Sequence, residues 1–507
     1  MTPDRLPLST KLAFAVGSIG EVFYLGMFNT FIGIFYNQAM GLSNALVGTA
    51  VMIALLFDAV SDPLVGMISD NWRSKLGRRH PFLFLAPLPL AIAIFAIFNP
   101  PDALVQQIGG EGSSNQIALF AWLTIFTIIS RLAITLYIVP HLALGAELTS
   151  DYHERSSIFS LNSIFSYAIG ALFGFVAWSF FLNGTVLGAA GEMIPRHLDP
   201  NAYQPLVLTA CAVVLGAIWL SAIGTLHMVP KLSKIAADQQ RFTLRLFYRE
   251  LSALLRNRNY LVLVFGIFFF MIASGLYDTF NIFVMTYFWE LPSADLRWFG
   301  LVAAPAAVVG AIAAPFLMRL FDRKPVAVGN LAVMFIAIQL PVDLRLLGIM
   351  PRNGDPMLLP LLLGNTAVLV FTFACGAVVI YSMLGDVIDE NDLATGKRQE
   401  GLFFSARTFV GKAASSLGHL FAGLMLDYVV RLPFSAVPGE VPDAVITRLG
   451  IAAGPVMAVA ALISIFFYMK YDLDRERQKS ITQQLADRGA ADAIASAEQP
   501  IQSGTTV

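Results

Sequence analysis

The stretch FDAVSDPLVG, residues 57–66, decides the fold, because it places two aspartates inside the apolar run VMIALLFDAVSDPLVGMIS, residues 51–69. Asp58 and Asp62 are four residues apart and therefore share one face of a helix. A charged side chain surrounded by hydrocarbon is costly, and such residues mark functional sites in membrane proteins by default. The composition of the rest of the chain decides whether hydrocarbon is the right environment.

The composition is that of a membrane protein. Of the 507 residues, 57% are hydrophobic and only 13% are charged, whereas soluble domains carry about 25% charged residues. The formal net charge of -1 gives no indication of a nucleic-acid partner, and the two cysteines and six histidines show no disulfide or metal-binding pattern. The segment MTPDRLPLSTK, residues 1–11, is too short and polar for a signal peptide, so we expect the first apolar segment to remain as a transmembrane helix.

Twelve apolar segments are long enough to cross a membrane, which takes about 20 residues. If these segments alternate in direction, most of the 33 lysines and arginines lie on one side, which predicts that this side and both termini are cytoplasmic. We therefore predict an all-α, multi-pass protein of the cell inner membrane, with twelve transmembrane helices in two six-helix bundles. The predicted spans are 12–37, 44–69, 81–99, 117–145, 157–182, 206–228, 260–289, 298–320, 326–346, 357–384, 402–430 and 447–470.

The two halves of the sequence resemble each other, as in transporters built from two bundles. GAELTSDYHERSSIFS (145–160) follows the fourth predicted span, and GDVIDENDLATGKRQEGLFFS (385–405) follows the tenth. The linker between the halves is either an amphipathic helix on the anionic inner leaflet or a solvated helix, and the tail is expected to be helical at first and disordered by its end. The predicted divisions are an N-terminal bundle at 1–228, the cytoplasmic linker at 229–259, a C-terminal bundle at 260–470 and the cytoplasmic tail at 471–507.

The aspartate pair predicts a site for a coupling ion. Asp58, Ser61 and Asp62 supply two carboxylates and a hydroxyl, and Pro63 frees the backbone carbonyl of Ala59. Two close carboxylates at low dielectric do not readily both ionise. A positive group must therefore lie between them: a sodium ion, a proton or a buried arginine. The alternative is a structural salt-bridge network at a helix end.

A second charged motif, SDNWRSKLGRR at 69–79, follows the second predicted span. Its charges can interact with helix ends of the other bundle and hold an inner gate shut, although the positive-inside rule alone also explains a basic loop here. The residues predicted for the gate are Asp70, Arg73, Arg78, Arg79, Glu147, Asp151 and Arg155.

The combined motifs resemble the major facilitator superfamily and, within it, the glycoside-pentoside-hexuronide:cation symporter family. The resemblance covers residues 10–470 and rests on Asp58-Ala-Val-Ser-Asp62-Pro63, on Gly77-Arg78-Arg79-His80-Pro81, and on YIVPHLALGAELTSDYHERS (137–156) and SMLGDVIDENDLATGKRQEGLFFSARTFVGK (382–412). It implies a major facilitator fold in which Asp58, Asp62 and Thr135 bind sodium or a proton. Ser61 stands where the family has an asparagine, and Lys412 matches a lysine that lies near both the sugar and the cation.

The sequence departs from the family where its galactoside transporters hold the sugar. The positions of two acids and an arginine are occupied here by Val22, by Ile138 and by Asn162-Ser163. Glu21, next to the first vacancy, could substitute or could be a helix-interface acid. The resemblance to the galactoside transporters therefore does not fix the substrate.

Other charged and aromatic residues inside the predicted spans complete the candidate substrate site. Arg131 lies one turn before Thr135 on the same face, so it either neutralises the aspartates or holds a substrate carboxylate. A cavity with several cations would suit an anionic substrate such as a hexuronide. The residues predicted to bind substrate are Glu21, Arg131, Tyr137, Asp278, Arg407 and Lys412.

These observations predict a secondary active transporter that couples Na⁺ or H⁺ to symport of a sugar, glycoside or hexuronide by alternating access. One alternative is a cation-coupled transporter of a lysophospholipid or other amphipathic solute, and a more distant one is a non-transporting receptor or a membrane enzyme. The leading interpretation implies no enzyme activity, no cofactor and no metal besides a possible Na⁺. We expect a monomer whose partners are the small-molecule substrate and the lipid bilayer.

Overall fold

The computed structural model describes residues 6–105, 113–149, 151–188, 191–232, 257–396 and 400–497. Twelve helices in these ranges are long and apolar enough to cross a membrane, which confirms the predicted number and order of spans. They are α1 Leu8–Ala39, α2 Asn44–Asn71, α3 His80–Phe98, α4 Gln116–Glu147, α5 Glu154–Phe181, α6 Pro200–Pro230, α7 Arg258–Phe288, α8 Ser293–Phe321, α9 Arg323–Leu346, α10 Leu358–Thr395, α11 Glu400–Val430 and α12 Asp443–Met469.

Consecutive spans run in opposite directions, so the two faces of the molecule are easily distinguished. We call the face where α6 ends and α7 begins the linker face, and the other the opposite face. On the opposite face, the connection between α5 and α6 contains a short antiparallel hairpin, Thr185–Leu187 paired with Met193–Pro195. A short helix, Asp102–Val105, follows α3 on the same face.

The predicted similarity of the two halves has a counterpart in the helix ends. The first and fifth span of each half finish in a π-helical turn at the opposite face: Phe35–Ala39 in α1, Ala177–Phe181 in α5, Val284–Phe288 in α7 and Met425–Val430 in α11. Such turns are rare and occur mostly at functional sites. Their repetition at equivalent spans therefore favours an internal structural repeat.

The two bundles pack most closely near the opposite face. A Cβ at Gly48 of α2 would lie only 2.6 Å from the backbone carbonyl oxygen of His419 in α11, so the absence of a side chain permits this approach. The larger buried apolar cluster includes residues of both bundles, among them Phe31, Tyr203 and Tyr287. A second cluster, around Tyr260, belongs to the C-terminal bundle alone.

The tail continues as a further helix, α13, from Arg475 to Ala497, which packs on the linker face of the C-terminal bundle. Its contacts include an ion pair between Arg488 and Asp392 and a hydrogen bond from Gln478 to Asp389 (3.1 Å). The expected disorder at the end of the tail and most of the linker, residues 233–256, lie outside the described residues. The domain boundaries and the membrane behaviour of the linker therefore remain predictions.

Candidate cation site and substrate cavity

The two aspartates of α2 meet side chains from α4 and α11 in a cluster that we call the notch. The Thr135 hydroxyl lies 2.6 Å from Asp58 Oδ1 and 3.0 Å from Asp62 Oδ1. Lys412 Nζ lies 2.7 Å from Asp58 Oδ2 and is also ion-paired with Asp62 Oδ2. Arg131 Nη1 is further away, 3.9 Å from Asp58 Oδ2. The notch therefore combines two carboxylates and two cations and is close to electrically neutral.

The notch is buried at one end and accessible at the other. The side chains of Asp58 and Arg131 are 4% and 9% exposed, whereas those of Asp62 and Lys412 are 24% and 28% exposed. The Arg131 guanidinium lies 4.1 Å from the centre of the Phe28 ring, a favourable cation–π geometry. Arg131 is thus a fixed part of the notch, while the Asp62–Lys412 pair is the part that solvent and an incoming ion can reach.

The structure brings three of the four predicted cation ligands together. Asp58, Asp62 and Thr135 converge, but the hydroxyl of Ser61 donates to the backbone carbonyl of Asp58 (3.2 Å). This bond back to the preceding turn uses the only proton of the hydroxyl, but it leaves the oxygen lone pairs, which are what would bind a cation. No described hydrogen bond joins the Ser61 hydroxyl to the side chains of the other three ligands, and its role as an ion ligand remains a prediction. Lys412, predicted to contact substrate, instead occupies the place between the aspartates where we expected a cation or an arginine.

A separate cavity of about 420 Å³ lies between the bundles, lined by α1, α5, α7 and α8. Its polar lining consists of Asn29, Thr30, Asp278 and Asn281, and these four side chains make no hydrogen bond to any residue that the structure describes. The aromatic side chains in its wall are those of Phe173, Trp178 and Phe299. Unpaired amide, hydroxyl and carboxylate groups beside aromatic faces are suited to bind a hydroxylated ring.

Of the residues predicted to bind substrate, only Asp278 lines this cavity. Tyr137 is completely buried in the N-terminal bundle and stacks on His141, 4.9 Å between ring centres, so it does not face open space. Glu21 precedes the cavity residue Val22 but is not itself in the lining. Arg407 stacks on Tyr381 and donates to its hydroxyl (3.0 Å). The three predicted cations do not line one cavity in this conformation, because Arg131 and Lys412 are in the notch and Arg407 is held by Tyr381.

Sequence reasoning missed Asn29, Thr30, Trp178 and Asn281. One signal was available: Asn281 is three residues after Asp278 and thus on the same face of α7. The others are isolated polar or aromatic residues in apolar spans. Only the packing of four helices shows that they meet.

A small void of about 30 Å³ borders the cavity, and its lining includes one side chain that packs on the notch. Phe28, which contacts Arg131, lines this void, and so does Asp278, which lines the cavity. His419 of α11 completes the wall and is hydrogen-bonded to Thr279 of α7 (2.8 Å). The two sites therefore share one layer of side chains.

The described hydrogen bonds between the bundles lie either in the notch or at the opposite face. There, the Asp427 carboxylate accepts from the backbone N–H groups of Asn44 (3.1 Å) and Ala45 (2.8 Å), at the beginning of α2. The Gln38 side chain bonds the backbone of Pro433 and Ala436. These contacts close the opposite face.

A buried histidine adds a third contact between the bundles at the opposite face. His197, between α5 and α6, is hydrogen-bonded to Ser293 (2.9 Å) and to Thr286 (3.2 Å) of the C-terminal bundle. Desolvation lowers the pKa of His197 to about 3, because burial penalises the charged ring. The neutral ring therefore bridges the bundles at ordinary pH.

The charges predicted for the gate form pairs within the N-terminal bundle. Arg79 is ion-paired with Asp70 and with Glu147 (2.7 Å), and Arg78 is ion-paired with the same Glu147 (3.0 Å). We expected these charges to interact with helix ends of the other bundle. Among the described residues they do not, because the hydrogen bonds that join the bundles lie in the notch and at the opposite face.

The remaining predicted gate residues are also satisfied locally or exposed. The Asp151 carboxylate accepts from the backbone N–H of Glu154 (2.8 Å) and caps the helix that leads into α5. Arg155 donates to the backbone carbonyl of Thr149 (3.3 Å), and Arg73 is exposed to solvent. Their role in a gate remains a prediction.

Comparison with known proteins places this chain among transporters. A family profile described as MFS/sugar transport protein matches residues 13–475. A protein named as an uncharacterized symporter from Synechocystis is 25% identical over 96% of this chain and 98% of its own length. A putative glycoside/cation symporter from Escherichia coli is 23% identical over 96% of each chain. The inward-open xylose transporter of Escherichia coli has the same fold, with a TM-score of 0.60 at 14% identity over 93% of this chain and 98% of that one.

Proposed function

We propose that this chain, which belongs to the MFS/sugar transport family and within it to the glycoside-pentoside-hexuronide:cation symporters, couples Na⁺ or H⁺ to the symport of an uncharged sugar or glycoside. As a member of a transporter family, it is a multi-pass inner-membrane protein and not an enzyme. The observation that carries the proposal is the arrangement of the notch beside a polar, aromatic cavity between the bundles.

The coupling cation is proposed to exchange with Lys412. Because the two carboxylates of the notch are already balanced by Lys412 and Arg131, an added cation makes the notch too positive unless one of these moves. Arg131 is buried and packed on Phe28, whereas Lys412 has a flexible side chain that is 28% exposed. A proton on Asp62, or a sodium ion between Asp58, Asp62 and the Thr135 hydroxyl, would therefore release the Lys412 ammonium.

The exchange is proposed to drive alternating access because Lys412 joins the two bundles. It is on α11, whereas both aspartates are on α2. Displacement of Lys412 by an ion removes an attraction between the bundles and changes the balance between the two access states. The distribution of lysine and arginine supports a cytoplasmic linker face. With that orientation, the contacts at Asp427, Gln38 and His197 hold the periplasmic side closed.

The lining of the cavity supports an uncharged substrate. Asp278 is the only charged residue in this lining, and a carboxylate would repel a uronate or a sulfonate. The amides of Asn29 and Asn281 and the Thr30 hydroxyl are suited to bind sugar hydroxyls, and Trp178 can stack on the ring. A hexuronide would leave its own carboxylate without a cationic partner in this cavity.

A second candidate substrate is an amphipathic solute such as a lysophospholipid. The observation that favours it is a mostly apolar cavity of about 250 Å³ beside α7, lined by Phe270, Met334 and Phe373 and by Asp278. An alkyl chain would fit there while a polar headgroup contacts Asp278. A glycoside with an apolar aglycone would use the two cavities in the same way.

The proposal is tested by uptake into proteoliposomes that contain the purified full chain. Neutral pentoses and hexoses, alkyl glycosides, hexuronates and lysophosphatidylcholine are each offered under an imposed sodium gradient and, separately, under a pH gradient. We expect concentrative uptake of a neutral sugar or glycoside under one of the two gradients, and its abolition by Asp62→Asn in a folded variant. Concentrative uptake that survives this substitution would refute the coupling role, and preferential uptake of hexuronates would refute the substrate assignment.

A further inference from the structure

A groove of about 770 Å³ lies on the linker face, between the C-terminal bundle and α13. We call it the tail groove. Its walls are the last turn of α8, the beginning of α9, part of α10 and the first three turns of α13. It is separate from the notch and from the central cavity, and nothing in the proposed transport cycle uses it.

The tail groove is strongly basic. Four cationic side chains line it, those of Arg319, Arg323, Arg475 and Lys479, and Asp322 is the one acid in the lining. Clustered cations on one concave surface create a positive potential that attracts anions. The hydrogen bonds and ion pairs that these side chains already make show which of them can still bind an anion.

Two of the four cations are already used by the protein. Arg323 Nε lies 3.2 Å from Asp386 Oδ2 and 2.9 Å from the Ser382 hydroxyl. Arg475 Nη2 donates to the backbone carbonyls of Met318 and Arg319, 2.9 Å each, at the end of α8. These bonds hold α13 in place and fix one wall of the groove.

Asp322, the acid in the lining, is also hydrogen-bonded within the protein. The Asp322 carboxylate accepts from the backbone N–H of Arg323 (2.7 Å) and of Arg475 (3.0 Å). It therefore caps α9 and ties the beginning of α13 to the turn between α8 and α9. Asp322 has a positive φ of 68°, a conformation rare for residues other than glycine. The two hydrogen bonds to its carboxylate hold the turn in this conformation.

Arg319 and Lys479 remain available. Both are exposed, and neither side chain has a hydrogen bond or ion pair with any residue that the structure describes. They face the groove from α8 and from α13, with the Thr482 hydroxyl beside Lys479. The Thr482 hydroxyl already donates to the backbone carbonyl of Gln478 (2.9 Å), so the two cations are the donors. Two free cations on facing walls can bind the oxygens of a phosphate group.

The position of the tail groove determines where such a phosphate comes from. The last two turns of α8 present Phe316, Leu320 and Phe321, which are 63%, 58% and 61% exposed, as is usual for residues that face lipid. The basic lining follows directly, at the end of the span, where lipid headgroups lie. Basic pockets at this depth bind the headgroups of anionic phospholipids.

We propose that the tail groove binds the phosphate of an anionic phospholipid, with Arg319 and Lys479 as its charged ligands and the acyl chains along the apolar end of α8. The bound lipid joins α13 to the C-terminal bundle on the linker face. The site is independent of the proposed substrate and of the coupling ion.

The experiment is native mass spectrometry of the purified full chain in a neutral detergent. The protein is titrated with phosphatidylglycerol, with phosphatidylcholine as the zwitterionic comparison, and inorganic phosphate is added in a competition arm. We expect phosphatidylglycerol to bind more tightly. Because each basic residue near a headgroup contributes to lipid affinity, the double substitution Arg319→Gln and Lys479→Gln should weaken phosphatidylglycerol binding about 30-fold.

The control removes two exposed cations of the N-terminal bundle on the same face, by Arg73→Gln and Lys75→Gln, which do not line the groove. Its lipid affinity should stay within about twofold of the original, since only distant, screened charge is lost. The single variant Arg319→Gln leaves α13 unaltered and should show part of the loss. Gel filtration verifies that each variant is folded.

Equal losses in the control and in the groove variant would overturn the proposal, as would equal affinities for phosphatidylglycerol and phosphatidylcholine. If inorganic phosphate displaces the lipid and binds in its absence with the same dependence on Arg319 and Lys479, the anion site is supported but its lipid source is refuted. Persistence of lipid binding after both substitutions, in a folded protein, would also refute the assignment.

Discussion

The substitution Lys412→Gln tests the idea that a resident ammonium competes with the coupling ion. At 2.7 Å from Asp58 Oδ2, the gross attraction between the charges is about 6 kcal/mol at an effective dielectric constant of about 20. Desolvation offsets part of this, and loss of one partner of a buried pair costs about 3–5 kcal/mol. Because Lys412 is 28% exposed, we take the lower value, about 3 kcal/mol. An ion that no longer displaces the lysine should therefore bind about 100-fold more tightly.

The assay is isothermal titration calorimetry of purified protein with Na⁺ at alkaline pH, together with proton release into weakly buffered solution. We expect a gain of about 100-fold for whichever ion drives uptake, and slower symport, because the tightly held ion leaves slowly. Lys470→Gln is the matched control, since Lys470 is at the end of α12 and stacks on Phe466. Weaker ion binding in the Lys412 variant, at unchanged folding, would show that the lysine supports the ion site and does not compete with it.

Three further predictions concern the substrate and the opposite face. Asp278→Asn should raise the KM for the neutral substrate about tenfold, the loss of one charge-assisted hydrogen bond, while calorimetry shows unchanged ion affinity; a parallel loss of ion binding would contradict separate sites. Asp427→Ala removes the acceptor for the beginning of α2 and should make a cysteine label at that face react faster, whereas unchanged labelling would show that this contact does not hold the face closed. The pKa of His197 is lowered from 6.5 to about 3, so its contribution to closure is complete above pH 6.5 and is lost as the pH falls below it, by about 2 kcal/mol at pH 5. The same labelling should accelerate on acidification in the native chain but not in His197→Gln, and equal acceleration in both would refute this explanation.

The twelve spans could be predicted from the sequence because their signal is local: each span carries its own excess of apolar residues. The convergence of Asp58, Asp62 and Thr135 also followed, from helical spacing and from resemblance to a family. The positions of Tyr137 and Arg407 did not. Charge and aromaticity identify unusual residues in a span, but the direction of a side chain depends on which neighbouring helix covers it.

Lys412 illustrates a different limit of sequence reasoning. The like charges of Asp58 and Asp62 require a positive group between them. The structure supplies one, but it comes from a helix of the other bundle, about 350 residues away along the chain. No helical periodicity connects positions so far apart. The physical requirement was therefore predictable, whereas the residue that meets it was not.

Because Lys412 and Arg131 balance the two carboxylates, the notch is electrically neutral before a coupling ion binds. If the aspartates were bare, an ion would bind without altering any contact between the bundles, and its binding energy would not depend on the access state. With Lys412 in place, an ion that displaces the lysine, as proposed, removes an attraction between α11 and α2, so that ion binding and bundle movement are coupled. Arg131 remains with Asp58 on one side and with Phe28 on the other, and Phe28 shares a void with Asp278. A substrate that contacts Asp278 therefore acts on the same layer of side chains, which gives ion and substrate a common structural element through which each alters the affinity for the other.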